Sequence, residues 1–425
     1  MLAIFSACVS SKNGGNNNGS DNQNTSSPYY RSLKNGFSIQ PQVNPPSYIR
    51  SIQLYKSGNE RSAPIIQLKS GETVTLEFDY METDARQFIV QVSHRTPQWE
   101  ESILSRNFYQ EGLIEDQITE SYLSRSQKPS FQHYTYQFPN EDIQLKTSGN
   151  YLLTVFNYNT GRTLFSLPFF VHEDKGNLST SVQHIPAPPK SIHRYNQLFG
   201  VYRYPDFVTM PQFDLSFYFV KNQFWGRYKK AGVVQSVQNK VDFHVTRDES
   251  FISDYGFKFL DLRNLSPDGV NIRDYQPGEQ PPHVILRRDI QDLTPSVSAN
   301  RTTRHGFPMD DREAQYVEVF FYLETAIKIL SGDEIYVTGD FNNWRIEEQH
   351  RLTYDREERA WTGSALIKQG QYTYKYVVVR DGVIQDMLLD NSFSLSRQQY
   401  FGLIYFEDPD MNYYRLLQTQ SVLSN

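Results

Sequence analysis

Short runs of alternating apolar and polar residues, each closed by a turn signal, recur through most of this 425-residue chain. IRSIQLY (49–55), TVTLEFDY (73–80), QFIVQVSH (87–94), HYTYQFPN (133–140), NYLLTVFNY (150–158) and LFSLPFFVH (164–172) are of strand length with period-two character. KSGE, PNED, TSGN and YNTGR separate them. A period of two places apolar side chains on one face of a strand, and such faces are buried by stacking one sheet on another. The fold class is therefore all-β, and these runs within ~120 residues predict an immunoglobulin-like sandwich. Composition agrees, because 29 Tyr and 28 Phe stand against 4 Trp, and Tyr and Phe favour pleated, half-buried surfaces.

The same pattern extends to the C-terminus with two polar interruptions. EDKGNLSTSVQHIPAPPK (173–190) reads as a linker, and SVSANRTTRHG (296–306) as a second break. Between them lie FDLSFYFVKN, KVDFHVT and YGFKFLDLRNL. After them come YVEVFFYLE, EIYVTGDF, HRLTYD, AWTGSALI, YTYKYVVVRDG and GLIYFED. The expected organisation is a sandwich over 47–173, a middle β domain over 190–300 and a C-terminal sandwich over 306–417, with a loose tail RLLQTQSVLSN. From Trp99 to Ser126 alternation lapses, which predicts a long connection with a helical turn.

Residues 9–46 are expected to form a disordered linker. The stretch from Val9 to Pro28 is rich in Asn, Ser and Gly and buries too little apolar surface to order, and QPQVNPPSY (40–48) is held extended by its prolines. The one cysteine, Cys8, excludes an intrachain disulfide. Its setting, LAIFSAC followed by polar sequence, resembles a bacterial lipobox. That resemblance makes residues 1–8 a signal remnant and Cys8 a lipidation site, with anchoring at the periplasmic side of the outer membrane.

Signals for chemistry are sparse. A phosphate loop, a GxSxG elbow and an HExxH motif are absent from the sequence. The nine histidines do not pair at metal-ligand spacing. His94 ends a strand near Glu100 and Glu101, which a catalytic histidine could use as orienters, although a hydrogen bond to a turn accounts for it more simply. Asp310–Asp311 and Glu357–Glu358 lie in turn-like sequence, as solvated charge does. A net charge of −6 gives no electrostatic footprint for nucleic acid. The expectation is a non-enzymatic protein without cofactor or metal.

Several elements follow one another in an order that carries a resemblance. His94 with Trp99, Tyr109 with Gly112, His133-Tyr134 with Phe138-Pro139-Asn140, and Ser148-Gly149-Asn150-Tyr151 resemble the N-terminal domain of the type IX secretion plug protein of Bacteroidetes-type bacteria. DDREAQYVEVFFYL, IYVTGDFNNW and IKQGQYTYKYV resemble that family's C-terminal domain. The resemblance implies tandem immunoglobulin-like, E-set β-sandwiches with mainly structural motif positions. It also implies a plug on the periplasmic side of a large outer-membrane translocon β-barrel.

The turn GDFNNW (339–344) admits another reading, because many carbohydrate-binding sandwiches share it. In glycogen-type modules two aromatics and a lysine hold the sugar. By that resemblance Asn342, Asn343, Trp344 and Lys375 would form the site of a glycan-binding envelope lipoprotein. The second aromatic is expected after Asp381-Gly382, where Val383, Ile384 and Gln385 stand. A single-sided platform loses stacking surface, so the architectural reading of Trp344 is favoured.

Overall fold

The computed structural model describes residues 33–424, apart from 83, 127–128, 187–192, 270, 292, 294–310 and 391–396. Cys8 and residues 9–32 of the expected linker lie outside the described residues. Residues from Leu33 onward form one compact unit, almost entirely of β-strands.

The first sandwich stacks two sheets. One has the order Ile49–Lys56, Val74–Tyr80, Gln132–Phe138, Glu120–Leu123. The other runs Ile65–Gln67, Thr163–His172, Gly149–Asn157, Phe88–Arg95, Asp116–Ile118. Strict alternation along Phe88–Arg95 buries Phe88, Val90, Val92 and His94 and feeds a core that includes Phe78, Tyr134, Tyr151 and Phe169. The lapse after Trp99 contains a one-turn helix, Arg106–Tyr109, and also short edge strands for both sheets. Three to four residues are too few to print an alternating pattern, so these strands are not legible in the sequence.

The middle sheet departs most from the expected organisation. Its order is Asn177–Ile185, Tyr195–Arg203, Lys240–His244, Lys229–Val237, Leu215–Lys221, Gln399–Asp408, Tyr413–Leu423. The linker expected at 173–190 thus supplies an edge strand, and the tail expected to be loose supplies another. Gln399–Asp408, placed by sequence with the C-terminal sandwich, pairs across ~180 residues of chain, with Leu215 opposite Phe406 and Lys221 opposite Tyr400, and carries Tyr413–Leu423 beside it. Both central runs are apolar on both faces, and the structure gives the reason. Phe217, Phe219, Ile404 and Phe406 line the inside of the curled sheet. Tyr218, Val220, Leu403 and Tyr405 face outward onto Trp99, Leu152 and Phe170 of the first sandwich. The sheet curls until its edges meet. Glu173 and Lys175 donate backbone hydrogen bonds to Leu416 and Leu417 (3.0 and 2.9 Å), and Gln420 Oε1 accepts from the Thr180 N–H (2.8 Å).

The C-terminal sandwich is one long sheet folded around Arg351–Asp355. That strand pairs with Glu334–Gly339 at one end and Ala360–Lys368 at the other. It also takes strands from before the second break, Lys258–Asp261, Ile272–Gln276 and His283–Leu286.

The expected disorder of residues 9–46 does not extend to its C-terminal third. From Leu33 the chain is a strap lying across all three modules. Lys34 bridges Val383, Phe37 and Ile39 are buried, and Val43 exchanges hydrogen bonds with Ser166 (2.8 and 3.1 Å). Two apolar anchors in an otherwise polar stretch are invisible to compositional reasoning.

Candidate functional site: module joints and the aromatic turn

Within the first sandwich, the motif positions divide into two groups. Tyr109, Gly112, Tyr134, Pro139, Asn140, Gly149 and Tyr151 build the sandwich itself. Tyr134 Oη donates to the Arg86 carbonyl (2.9 Å) and its ring stacks on Phe78. Asn140 Oδ1 accepts the Asp142 and Ile143 N–H groups (3.1 and 2.9 Å), closing the turn after the cis Phe138–Pro139 bond. Tyr151 Oη donates to the Thr147 carbonyl (2.9 Å). Gly112 has φ +92°, and a Cβ there would lie 2.0 Å from the Asp142 carbonyl oxygen. Gly149 has φ +144°, and its Cβ would lie 2.2 Å from His94 Nε2. Only glycine therefore lets the His94 ring approach that strand.

The second group faces the other modules. His94 Nε2 donates to the Ser148 carbonyl (3.1 Å), and its ring lies against Tyr151 and against Tyr413 of the middle sheet. Burial pushes its pKa down to about 4, so it is a neutral packing group at pH 7. Glu100 and Glu101 are exposed. Trp99, at φ +70°, packs on Phe170 in the cluster with Trp225 and Ile39. Asn150 Oδ1 accepts from Tyr405 Oη (2.6 Å).

His133 belongs to a buried joint that the sequence did not reveal. Its Nδ1 donates to Asp79 Oδ1 (2.6 Å). Lys368 Nζ (2.9 Å) and Tyr316 Oη (2.7 Å) approach Asp79 Oδ2 from the C-terminal sandwich, and Ser51 bonds Tyr316 Oη (2.7 Å). Burial alone would raise the Asp79 pKa, but Lys368 and His133 reverse this and hold the carboxyl far below the usual range. The available sequence signal is a charge inside an apolar run, at Asp79 in TVTLEFDY and at Lys368 in SALIKQG. Further ion pairs cross joints, Arg125 with Glu313 (3.3 Å) among them. Arg415 grips Glu173 through two bonds (2.8 and 2.7 Å). Arg227 pairs with Asp386 (2.5 Å), which also accepts from Tyr255 Oη (2.5 Å).

Lys221 lies beside that last pair. Its Nζ donates to the Ile252 carbonyl (3.0 Å) and sits 3.9 Å over the Tyr255 ring. Among the described residues no carboxylate is within ion-pair distance of it. Burial, against the mixed fields of Asp386, Arg227, Lys375 and Asp390, pushes its pKa down to about 7. An unfolded lysine keeps its proton to about pH 10.4. Between the two values the unfolded chain binds the extra proton, so this group makes stability rise with pH across that window. Lys221→Met is therefore expected to stabilise the chain by ~2 kcal/mol at pH 7, net of the lost hydrogen bond. Urea titrations at pH 7 and pH 10 check this, and the gain should shrink at the higher pH.

The GDFNNW turn is built from its own polar groups. Asn342 Oδ1 accepts the Gly339 N–H (3.1 Å), and Nδ2 donates to the Arg345 carbonyl (2.8 Å). Asp340 Oδ2 accepts from the Thr373 N–H (2.8 Å), and Oδ1 accepts from Trp344 Nε1 (3.1 Å). Asn343 and Trp344 are left-handed, with φ +56° and +60°, and Asn343 Nδ2 donates to the Ile52 carbonyl of the first sandwich (3.1 Å). The half-buried Trp344 ring meets Phe37 of the strap, Phe224 of the middle module and Phe257, at 5.7, 5.3 and 5.1 Å. Lys375 is buried, paired with Asp390, and lies over the Tyr255 ring at 4.2 Å. Ile384 packs in the same cluster as Phe37. Thus the four residues of the glycan reading are engaged in internal contacts. Asn342 and Lys375 in particular are buried rather than presented to solvent.

Among the described residues no group of three or more His, Cys, Asp or Glu could hold a metal ion, and no helix is long and apolar enough to cross a membrane. The fold and its joints define a class: tandem β-sandwich modules, locked by buried polar contacts at the faces where modules meet. The solved structure of a hypothetical protein from Parabacteroides merdae shares the fold, with a TM-score of 0.80 at 22% identity, covering 90% of this chain and 99% of that one. Residues 49–173 match the model of the type 9 secretion system plug protein first domain, and that match supports a relation to the type IX secretion system plug family. That match relates the first sandwich to type IX secretion. No curated protein matches the chain.

Proposed function

We propose that this protein is a non-enzymatic plug, which closes the periplasmic side of a large outer-membrane β-barrel translocon while no cargo occupies it. The family match supports a place in the export machinery. The observation that carries the finer reading is rigidity combined with exposed apolar surface. The three modules are joined by ion pairs, of which Asp79–Lys368 is fully buried, yet Ile103, Phe108 and Ile114 of the first sandwich and Phe207, Met210 and Phe213 of the middle module are exposed. Both groups border the same joint. Tyr109 leads through His94 to Tyr413, while Phe207 lies under Arg415, the partner of Glu173. Large exposed apolar side chains on two modules suit a broad protein contact better than a small-ligand cleft. In this reading Cys8 carries the lipid, which raises the concentration of plug at the pore.

Deletion of the gene is expected to make the outer membrane more permeable to large antibiotics while secretion continues. Loss of secretion with normal permeability would instead assign the protein a required translocation step. Cys8→Ser is expected to move the protein from the membrane fraction to the soluble fraction, and unchanged partitioning would remove the anchor from the reading.

A further inference from the structure

We propose that residues 33–43 are a releasable latch, held on the body by one β-bridge and two apolar anchors, over a groove that can accept another copy of the same segment. The inference rests on the contacts of the strap and not on the export reading.

The strap is held by one β-bridge and two side-chain anchors. Lys34 pairs in parallel with the edge strand Val383–Gln385, donating to the Gly382 carbonyl (3.0 Å) and accepting from the Ile384 N–H (3.1 Å). After Asn35, which is left-handed at φ +60°, Phe37 and Ile39 enter separate apolar pockets. Phe37 meets Phe224 at 4.7 Å and Trp344 at 5.7 Å. Ile39 joins Trp99 and Trp225. Arg227 clamps the segment from above: its guanidinium sits 4.0 Å over the Phe37 ring, and it donates to the carbonyls of Asn35 and Gly36. Gly226 donates to the Phe37 carbonyl (3.3 Å), and a Cβ at Gly226 would lie 2.1 Å from the Ser38 carbonyl oxygen. The groove is thus shaped to let a second backbone approach.

Release is physically separable from unfolding. Two anchor side chains and a handful of backbone bonds hold the strap, and no ladder of the three modules runs through it. Segments held in this way open locally, at lower free energy than the strands beneath them. Opening frees the Gly382 carbonyl and the Ile384 N–H and uncovers the strap side of the Phe224–Phe257–Trp344 pocket. Arg227 keeps its bond to Asp386. The groove so exposed fits a segment of the strap's own kind, with an aromatic anchor followed two residues later by an aliphatic one. Traction on the N-terminal side of Leu33 would open it first.

The test uses the full chain carrying Cys8→Ser and a fluorescent peptide of residues 33–43, read by anisotropy. The peptide is expected to bind the chain by displacing the strap. Phe37→Ala in the chain should tighten binding about ten-fold by removing the internal competitor, whereas Phe37→Ala in the peptide should abolish it. The substitutions Lys34→Cys and Val383→Cys, made together at this bridged pair, should block peptide binding when oxidised and restore it when reduced. Hydrogen exchange of the parent chain supplies the second measurement, with the Lys34, Gly226 and Ile384 amides exchanging together and ahead of those of Phe219 and Val378. Peptide binding that ignores the disulfide would overturn the proposal. So would a failure to bind any chain, with strap amides exchanging only on global unfolding.

Discussion

Asp79→Asn is expected to cost ~3–5 kcal/mol of stability in the full chain, the cost of breaking a buried ion pair by removing one partner. The substitution keeps the shape of the side chain but leaves Lys368, only 2% exposed, without its counter-charge. It also weakens the bonds from His133 and Tyr316, so the first and C-terminal sandwiches lose the same contact at once. The pH dependence has a definite sign. The folded carboxyl titrates far below its unfolded value, so its contribution is complete above the unfolded value of ~3.9 and is lost as pH falls through the folded one. The deficit of the variant should therefore be constant from neutral pH down to about 5 and close only in stronger acid. Urea unfolding across that range, with Asp79→Leu/Lys368→Met as the paired replacement, provides the check. The pair should recover most of the loss, because an apolar pair of similar volume can replace a buried ion pair. A deficit of under about 1 kcal/mol in the single variant would remove this joint as a source of rigidity.

The second large effect is expected at Trp344. Trp344→Ala should cost ~3 kcal/mol, the low end for a packed aromatic, because the ring is only half-buried. Trp344→Phe should recover part of the loss by keeping the contacts with Phe37, Phe224 and Phe257. Thermal melts must use the full chain. A fragment starting near residue 310 would hold Gln399–Asp408 and Tyr413–Leu423 without Leu215–Lys221, and would lack Lys258–Asp261 from its own sheet. A small change in melting temperature, together with glycan binding by the parent chain that Trp344→Ala removes, would restore the sugar-site reading.

Strand positions were legible because period-two burial is local: FIVQVSHR states which side chains point inward without reference to any other segment. Partnership was not legible. GLIYFED and FDLSFYFVKN both read as strands, but nothing within either run says that they lie side by side. The clue is their lack of a polar face, since each is buried by the interior of the curled sheet on one side and by the first sandwich on the other. For the candidate site, the absent second aromatic at Ile384 could be seen, whereas the covering of Trp344 by Phe37 could not. Phe37 and Ile39 stand in a stretch too polar to suggest burial. Charged joints such as Asp79 with Lys368 span 289 residues and show in sequence only as isolated charges within apolar runs.

The central claim is that these modules form a body that seats on the export translocon. Its most direct test is mild-detergent capture of the tagged protein from the native envelope, identified by mass spectrometry, for the parent chain and for Phe108→Ser/Phe213→Ser. Both side chains are exposed, so the double variant should keep the parent melting temperature. The account predicts that a large outer-membrane β-barrel of the type IX machinery co-purifies with the parent and is depleted with the variant. Capture without such a barrel, or recovery of cell-envelope polysaccharide in its place, would contradict it.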